Sequence, residues 1–392
     1  MMEPKIRFKG FEGEWKETIW GNHIVSTHTG TNLLGEVSNK GIPLLKMGNI
    51  QRGFFDLDKM EYLAANQNPP VNCIANYGDF FYNTRNTLEL VGKGATWMKK
   101  DGIYAFNSNI AICKLDGIDT FFFNYLYNTL HSIKQVQARA KGTTSVAAVY
   151  MRDLKSIELT LPHISEQQAI ASYFTSLDSQ ISASTSRLTS LKQMKAASLQ
   201  AMFPQEGETV PKIRFKGFEG EWKKVKFKDF GHVAMCKRIF KNQTTSEGDV
   251  PFYKIGTFGS EPDSYISQSL FEEYKKKYSF PNKGDILISA AGTIGRTVEY
   301  NGENCYYQDS NIVWLDHNNN ITNGFLKQLY SIVKWSSLEG ATIKRLYNSN
   351  ILETTFYIPN INEQQAIASY FTSLDRQISL QSQRLKKLKQ IK

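Results

Sequence analysis

Glu166-Gln167-Gln168-Ala169-Ile170-Ala171-Ser172-Tyr173-Phe174-Thr175-Ser176-Leu177-Asp178 is the stretch on which the reading turns, because the same thirteen residues return in order at 363–375. Identity of that length marks an internal duplication, and repeats are sought before any fold is assigned. Ser165 with Gln168, and Asn362 with Gln365, fit a capping box, so each copy reads as a helix with a defined start. Apolar residues then recur at alternating steps of four and three. They are Ile170, Phe174, Leu177, Ile181, Leu188 and Leu191 in the first copy, and Ile367, Phe371, Leu374, Ile378, Leu385 and Leu388 in the second. This is a heptad seam in which Ser184 and Gln381 hold polar positions suited to fixing register. From Glu166 to Met202 a continuous helix spans roughly 55 Å at about 1.5 Å per residue. One such helix leaves its seam uncovered, and the chain supplies a second, so the two are expected to pack together; the alternative is that each lies on its own domain. Gln, Ser, Asp and Lys interrupt every turn, which excludes a membrane span.

A second exact repeat opens each half: Pro4-Lys5-Ile6-Arg7-Phe8-Lys9-Gly10-Phe11-Glu12-Gly13-Glu14-Trp15 returns at Pro211 to Trp222. Between the repeats the two middle sections agree only in scattered places. The order gives a first globular domain over 1–164, a helix over 165–203, a linker at 204–210, a second globular domain over 211–361 and a shorter helix over 362–392. Each middle section reads as mixed α and β. Asp79–Tyr82 and Asp285–Ile288 read as strands, as do Asn109–Cys113 and Asn311–Leu315. Phe121–Gln137 and Phe325–Ser337 read as helices, and Leu154–Leu161 and Ile351–Ile358 as closing strands. Identical ends framing divergent middles imply one scaffold used twice with two different sets of loops, and loops on a shared scaffold are where recognition resides.

The chain of 392 residues, 41% hydrophobic and 12% aromatic, is long enough for two or three cores. A net charge of +10 favours a polyanionic partner, nucleic acid first. Cys73, Cys113, Cys236 and Cys305 are far apart and read as buried, reduced thiols of a cytoplasmic protein rather than a zinc site or disulfide framework. The first ten residues contain no apolar signal region.

Catalytic signals fail on inspection. Asn68-Pro69-Pro70-Val71 resembles the loop with which amino-methyltransferases hold a base, but lacks the stacking aromatic and any upstream Gly-rich cofactor loop. Pro262-Asp263 with Glu273 and Lys275 imitates a metal-dependent nuclease, yet the other half has nothing comparable, and a charged surface helix is the simpler reading. No phosphate-binding Gly-x-x-x-x-Gly-Lys loop exists and the six histidines are scattered, so no catalytic or metal-binding residue is assigned.

Binding signals are stronger. Ser289-Ala290-Ala291-Gly292-Thr293-Ile294-Gly295-Arg296 follows a strand, and amides exposed by its glycines are expected to meet phosphate, with Arg296 on phosphate or guanine. The first half offers Arg85, Lys93, Lys99 and Lys100 in the matching region. Lys141, Thr143 and Thr144 face Lys344 and Arg345 in a second pair of loops, and Lys46 matches Lys254. These twelve positions, with Ser289 and Thr293, are the candidate DNA contacts, against the simpler reading of tight turns with solvated charges.

On these residues the chain resembles the DNA-specificity subunit of type I restriction-modification systems over essentially its whole length. The resemblance rests on Phe8–Trp15 and its copy, on Ser289–Arg296, and on the Glu-Gln-Gln-Ala-Ile helices at 166 and 363. It implies an α+β fold: two similar globular α/β target-recognition domains separated and joined by two long antiparallel coiled-coil helices, an internal repeat with pseudo-two-fold character. It also implies a non-catalytic subunit reading an asymmetric, bipartite site on double-stranded DNA, with the helices setting the gap. Two modification (methyltransferase) subunits and restriction (helicase-nuclease) subunits would bring S-adenosylmethionine, ATP and Mg²⁺, this chain binding no cofactor of its own. Such subunits carry a tail after the second helix comparable to Ala196–Phe203, whereas this second helix reads as shortened at Lys392, the equivalent of Lys195. The competing functions are a self-sufficient methyltransferase or nuclease with fused recognition domains, and a coiled-coil scaffold without a nucleic-acid role.

Overall fold

A computed structural model describes residues 4–37, 40–143, 145–336 and 345–392. The chain divides into two compact units, residues 1–182 with 388–392, and residues 183–387.

In the first unit the central sheet has the strand order Ile24–Thr29, Ile110–Leu115, Phe80–Asn83, Gly94–Thr96, every neighbouring pair antiparallel. Side chains alternate across a strand, and here both faces are covered. Phe80, Tyr82, Ala111 and Cys113 enter one core with Trp20, Phe123 and Tyr127. Phe81, Ile110 and Ile112 enter another with Leu45, Trp97 and Phe106. Burial on both faces explains why these strands read as unbroken apolar runs.

The second unit repeats the plan: Gly231–Ala234, Ile312–His317, Ile286–Ser289, Thr297–Glu299, again antiparallel throughout. Ile286, Ile288, Val313 and Leu315 face one core, while Leu287, Ile312 and Trp314 face the other. In each unit the opening strand pairs antiparallel with the strand before the long helix, Lys16–Ile19 with Glu158–Leu161 and Lys223–Lys226 with Thr355–Ile358. A short parallel pairing is also shared, Leu44 opposite Ala105 and Phe252 opposite Tyr306.

The expected helix over Phe121–Gln137 is two helices, Thr120–Tyr127 and Leu130–Ala138. Thr129 separates them, because its hydroxyl accepts the Ser132 amide and so caps a new helix. The helix expected over Phe325–Ser337 ends at Tyr330. The closing strands are shorter than expected, since Met151–Leu154 and Asn348–Glu353 are helical turns that put Leu154 and Ile351 into the core. A buried helical turn running into a strand gives the same apolar run as a longer strand.

The long helices run Ile164–Met202 and Ile361–Ile391. Their caps lie earlier than the capping boxes predict. Asn360 Oδ1 accepts the Glu363 amide at 3.0 Å, and the His163 carbonyl accepts the amides of Glu166 and Gln167. Ser165 and Asn362 are therefore already helical, and Gln168 and Gln365 point to solvent. All twelve seam residues from Ile170 to Leu191 and Ile367 to Leu388 are buried or half-buried. The first turns lie on their own domain, Ile367 and Phe371 joining the core of Phe325 and Trp222. Farther along, the two helices pack together with antiparallel contacts. In the second unit Lys195 Nζ meets Asp375 at 2.6 Å, and Ser198 meets the Tyr370 hydroxyl at 2.9 Å. Gln381 donates to the Ser184 carbonyl at 3.2 Å, so the two polar seam positions are each other's partners. In the first unit Lys392 pairs with Asp178, the counterpart of the Lys195–Asp375 pair 197 positions on. Among the described residues no helix is long and apolar enough to cross a membrane.

Candidate nucleic-acid interface

Each unit first fixes its recognition surface to its long helix, and the exact repeats do the fixing. Arg7 donates through Nε and Nη2 to both oxygens of Glu166 at 2.8 and 2.7 Å, and through Nη1 to the Gly13 carbonyl at 2.6 Å. Arg214 treats Glu363 and Gly220 identically, at 2.6, 2.7 and 2.5 Å. The glutamates are only 1% exposed, so two charge-assisted bonds in a fork replace the water each carboxylate has lost. Those bonds hold the Arg214 guanidinium pKa above its ordinary value. Gln167 accepts the Asp119 amide at 2.9 Å and donates to the Pro162 carbonyl at 3.0 Å. Gln364 does the same with Thr322 and Pro359, at 3.0 and 3.1 Å. The opening repeat and the helix repeat are thus partners in contact in each unit.

Beyond the central strand the chain turns into the candidate face. In the second unit the Ser289 amide donates to the Arg296 carbonyl and the Gly295 amide to the Ser289 carbonyl, at 2.9 and 3.0 Å. In the first unit Asn83 donates to the Lys93 carbonyl at 2.8 Å and accepts from Gly92 at 3.1 Å. The backbone pattern therefore makes Lys93 the counterpart of Arg296. The Ser289 hydroxyl is spent inside its loop, donating to the Thr293 carbonyl and accepting the Arg296 amide at 2.9 Å. The amides of Ile294, Gly295 and Arg296 bond within the loop. What the loop presents outward is the exposed Thr293 and Arg296. Arg296 is steadied by the Phe258 carbonyl at 2.8 Å. Gly292 and Gly295, at φ +65° and +80°, permit the turn.

In the first unit Lys93 donates to Gln51 at 2.7 Å, and its pKa is lowered by burial and by neighbouring Arg52. Nearby, a cleft of about 550 Å³ opens between Thr27, Thr29, Thr84, Arg85, Asn109 and Tyr150. Arg85 lies in a small sheet with Lys141, through Ala148 and Ala147. Lys141 pairs with Asp153 at 3.0 Å, and Thr143 stands at the exposed hairpin tip. Gly142 allows that hairpin, because a Cβ there would sit 2.3 Å from the Val146 carbonyl oxygen. Lys46 pairs with Glu61 and its match Lys254 with Asp263 at 2.8 Å, the hydrogen bond from Lys254 lowering the Asp263 pKa. Lys99 and Lys100 follow the other end of the sheet, resting on the rings of Tyr104 and Tyr77 at 5.0 and 4.8 Å. The structure thus gathers Arg85 and Lys141 with the cleft, and sets Lys99 and Lys100 apart from them. Arg345 donates to the Ser310 carbonyl at 3.1 Å. Thr144 and Lys344 lie outside the described residues.

The model of the family described as "Type I restriction modification DNA specificity domain" matches this chain twice, over residues 34–193 and 219–390. The chain belongs to that family. It is a type I specificity subunit, the non-catalytic component of its complex, and the family carries no cofactor site. A putative type I restriction enzyme specificity subunit of Haemophilus influenzae is 59% identical over 148 residues, 38% of this chain and 38% of that protein. A putative specificity subunit of Methanocaldococcus jannaschii is 20% identical over 90% of this chain and 84% of its own length. The crystal structure of a type I S subunit from M. genitalium shares the fold, with a TM-score of 0.67 at 15% identity over 100% of this chain and 96% of that one.

Several residues of this specificity subunit escaped the sequence reading. Arg7 and Arg214 stood inside a quoted repeat, but their partners are 159 and 149 residues away. Arg52, Arg152 and the exposed tyrosines Tyr150 and Tyr347 belong to no motif. The tyrosines are separated by the same 197 positions as the helices, and that spacing was the available signal. Asn68–Pro70 is an irregular stretch leading into the 3-10 helix Val71–Cys73, with Val71 89% exposed, and Glu273 pairs with Lys277 at 2.9 Å.

Proposed function

We propose that this specificity subunit reads an asymmetric, interrupted site on duplex DNA, one half with each globular domain, the paired helices setting the gap. The observation that carries the reading is the combination of equal mounts and unequal faces. Both domains are held by the same Arg–Glu and Gln contacts. One, however, lines a cleft with Thr27, Thr29, Thr84 and Arg85, whereas in the other Val233 takes the place of Thr27 beside the central strand and the buried Ala290 takes that of Thr84. Equal mounts suit two copies of one partner, here two modification subunits that supply S-adenosylmethionine and methylate adenine. Restriction subunits supply ATP- and Mg²⁺-dependent translocation and cleavage, all in the cytoplasm. The candidate DNA contacts are those of the two faces, Lys46, Arg85, Lys93, Lys141, Thr143, Lys254, Thr293, Arg296 and Arg345 among them.

Exchanging residues 16–160 for the domain of another specificity subunit is expected to change one half of the methylated sequence and leave the other half and the gap intact. Mapping of methylated adenines reads the result; a change in both halves, or a continuous motif, would sink the reading. Duplex binding is also expected to fall steeply with salt. About six phosphate contacts give a slope of about −5 in log K against log salt, because each contact releases counterions. A flat salt response, with the modification subunit present, would favour the scaffold. Methylation by the purified chain alone would favour the fused enzyme.

A further inference from the structure

Tyr150 and Tyr347 stand at equivalent places in the two domains. Each precedes the short helix that leads to the closing strand, Met151–Leu154 and Asn348–Glu353. The residue before each donates its amide to the equivalent carbonyl, Val149 to Thr84 at 2.9 Å and Leu346 to Ala290 at 2.8 Å. From here to the proline before the long helix, the tyrosine is the one position of the segment that both halves share before Pro162 and Pro359. Core packing does not require it. Tyr150 is 44% exposed and Tyr347 61% exposed, whereas the core positions nearby change freely, Leu154 to Ile351 and Leu159 to Phe356.

Each ring also carries a guanidinium, and the two come from different sequence positions. Arg152, two residues after its tyrosine, lies 5.2 Å from the Tyr150 centroid, and Arg345, two residues before, lies 5.9 Å from that of Tyr347. The ring–guanidinium pair is thus built twice by different means. In the first unit the tyrosine borders the cleft that holds Arg85 and Asn109.

We propose that Tyr150 and Tyr347 are equivalent DNA-positioning residues, each laying its ring against a nucleotide while the attendant arginine meets the neighbouring phosphate; this rests on the duplex-reading function above. A residue shared by both domains cannot encode the difference between two half-sites. Its contribution is therefore independent of sequence, as contacts that orient a protein on DNA are. An exposed ring beside a cation matches a nucleotide, which offers an apolar sugar and base next to a phosphate.

The test compares the full chain with Y150A, Y347A and their Phe counterparts, with the modification subunit present, using two labelled duplexes of unlike sequence. Each Ala variant is expected to weaken binding about tenfold, equally on both duplexes, as loss of one aromatic contact does. The Phe variants are expected to stay within about threefold of the parent, because the ring makes the contact. Unchanged thermal melts establish that both variants fold. Ala variants that bind as the parent does would overturn the proposal, as would equal loss in Phe and Ala variants or loss on one duplex only. Reduced methylation with unchanged binding would also overturn it, assigning the rings to the modification subunit instead. If the parent chain shows no salt-dependent duplex binding, the duplex-reading function itself fails, and that outcome is distinct from the others.

Discussion

Replacing Arg214 by alanine is expected to destabilise the second unit by about 3–5 kcal/mol, the cost of leaving a buried charge without its partner. Glu363 is 1% exposed, and both of its oxygens accept from Arg214, at 2.6 and 2.7 Å. Without the guanidinium, the carboxylate stays out of water with its two strongest bonds gone. The loss also frees the opening loop, because the same side chain gathers the carbonyls of Glu219 and Gly220. Removing both charges separates these effects. The R214M/E363L double variant is expected to recover most of the loss, since an apolar pair of similar volume has no desolvation to offset. Denaturant unfolding followed by hydrogen exchange in the 211–361 segment reads the result. A single-variant cost below about 1 kcal/mol, the range of a surface ion pair, would show that solvent reaches Glu363. R7A should behave alike in the first unit, where Arg7 holds Glu166 at 2.8 and 2.7 Å.

Phe203→Ala is expected to cost about 3–5 kcal/mol, as truncation of a buried phenylalanine does when the cavity cannot collapse. Phe203 is 2% exposed, stacks on Phe325 at 5.4 Å and 28°, and meets Trp222 at 5.8 Å. Leu199 and Met202 join it over the same core. The duplication provides an internal control. Trp222 and Phe371 are 2% and 0% exposed, whereas Trp15 and Phe174, identical in sequence context, are only half-buried. Phe371→Ala should therefore cost more than Phe174→Ala, and the gap should shrink when Phe203 is already Ala, because neighbours sharing one cavity do not add independently. Equal costs at Phe174 and Phe371 would mean that Phe203 is not what buries Phe371.

Much of the architecture was legible because it is written in repeats. The heptad steps from Ile170 and Ile367 gave two helices that pack together, and Ser184 and Gln381 stood out as polar breaks before their contact was visible. The central strands were legible as apolar runs after a glycine. Illegible elements share one physical character: they depend on groups distant in the chain. The capping residues lay two positions earlier than the capping boxes implied, because Gln167 and Gln364 are drawn inward to the domain while Gln168 and Gln365 face water. In the Gly-rich loop, the internal bonds of the Ser289 hydroxyl to Thr293 and Arg296 have no sequence signal. Lys99 and Lys100 look like their basic neighbours in one dimension, but an antiparallel strand carries them to the far end of the sheet from Arg85.

The sequence by itself determined that one part is used twice, with two long helices and two unlike middle sections, because periodicity and repetition are local and survive without coordinates. Only the tertiary structure showed that the two repeats meet: Arg7 closes on Glu166 and Arg214 on Glu363. Likewise only folding decided which cations gather on one face, since that depends on strand direction and register rather than on residue type.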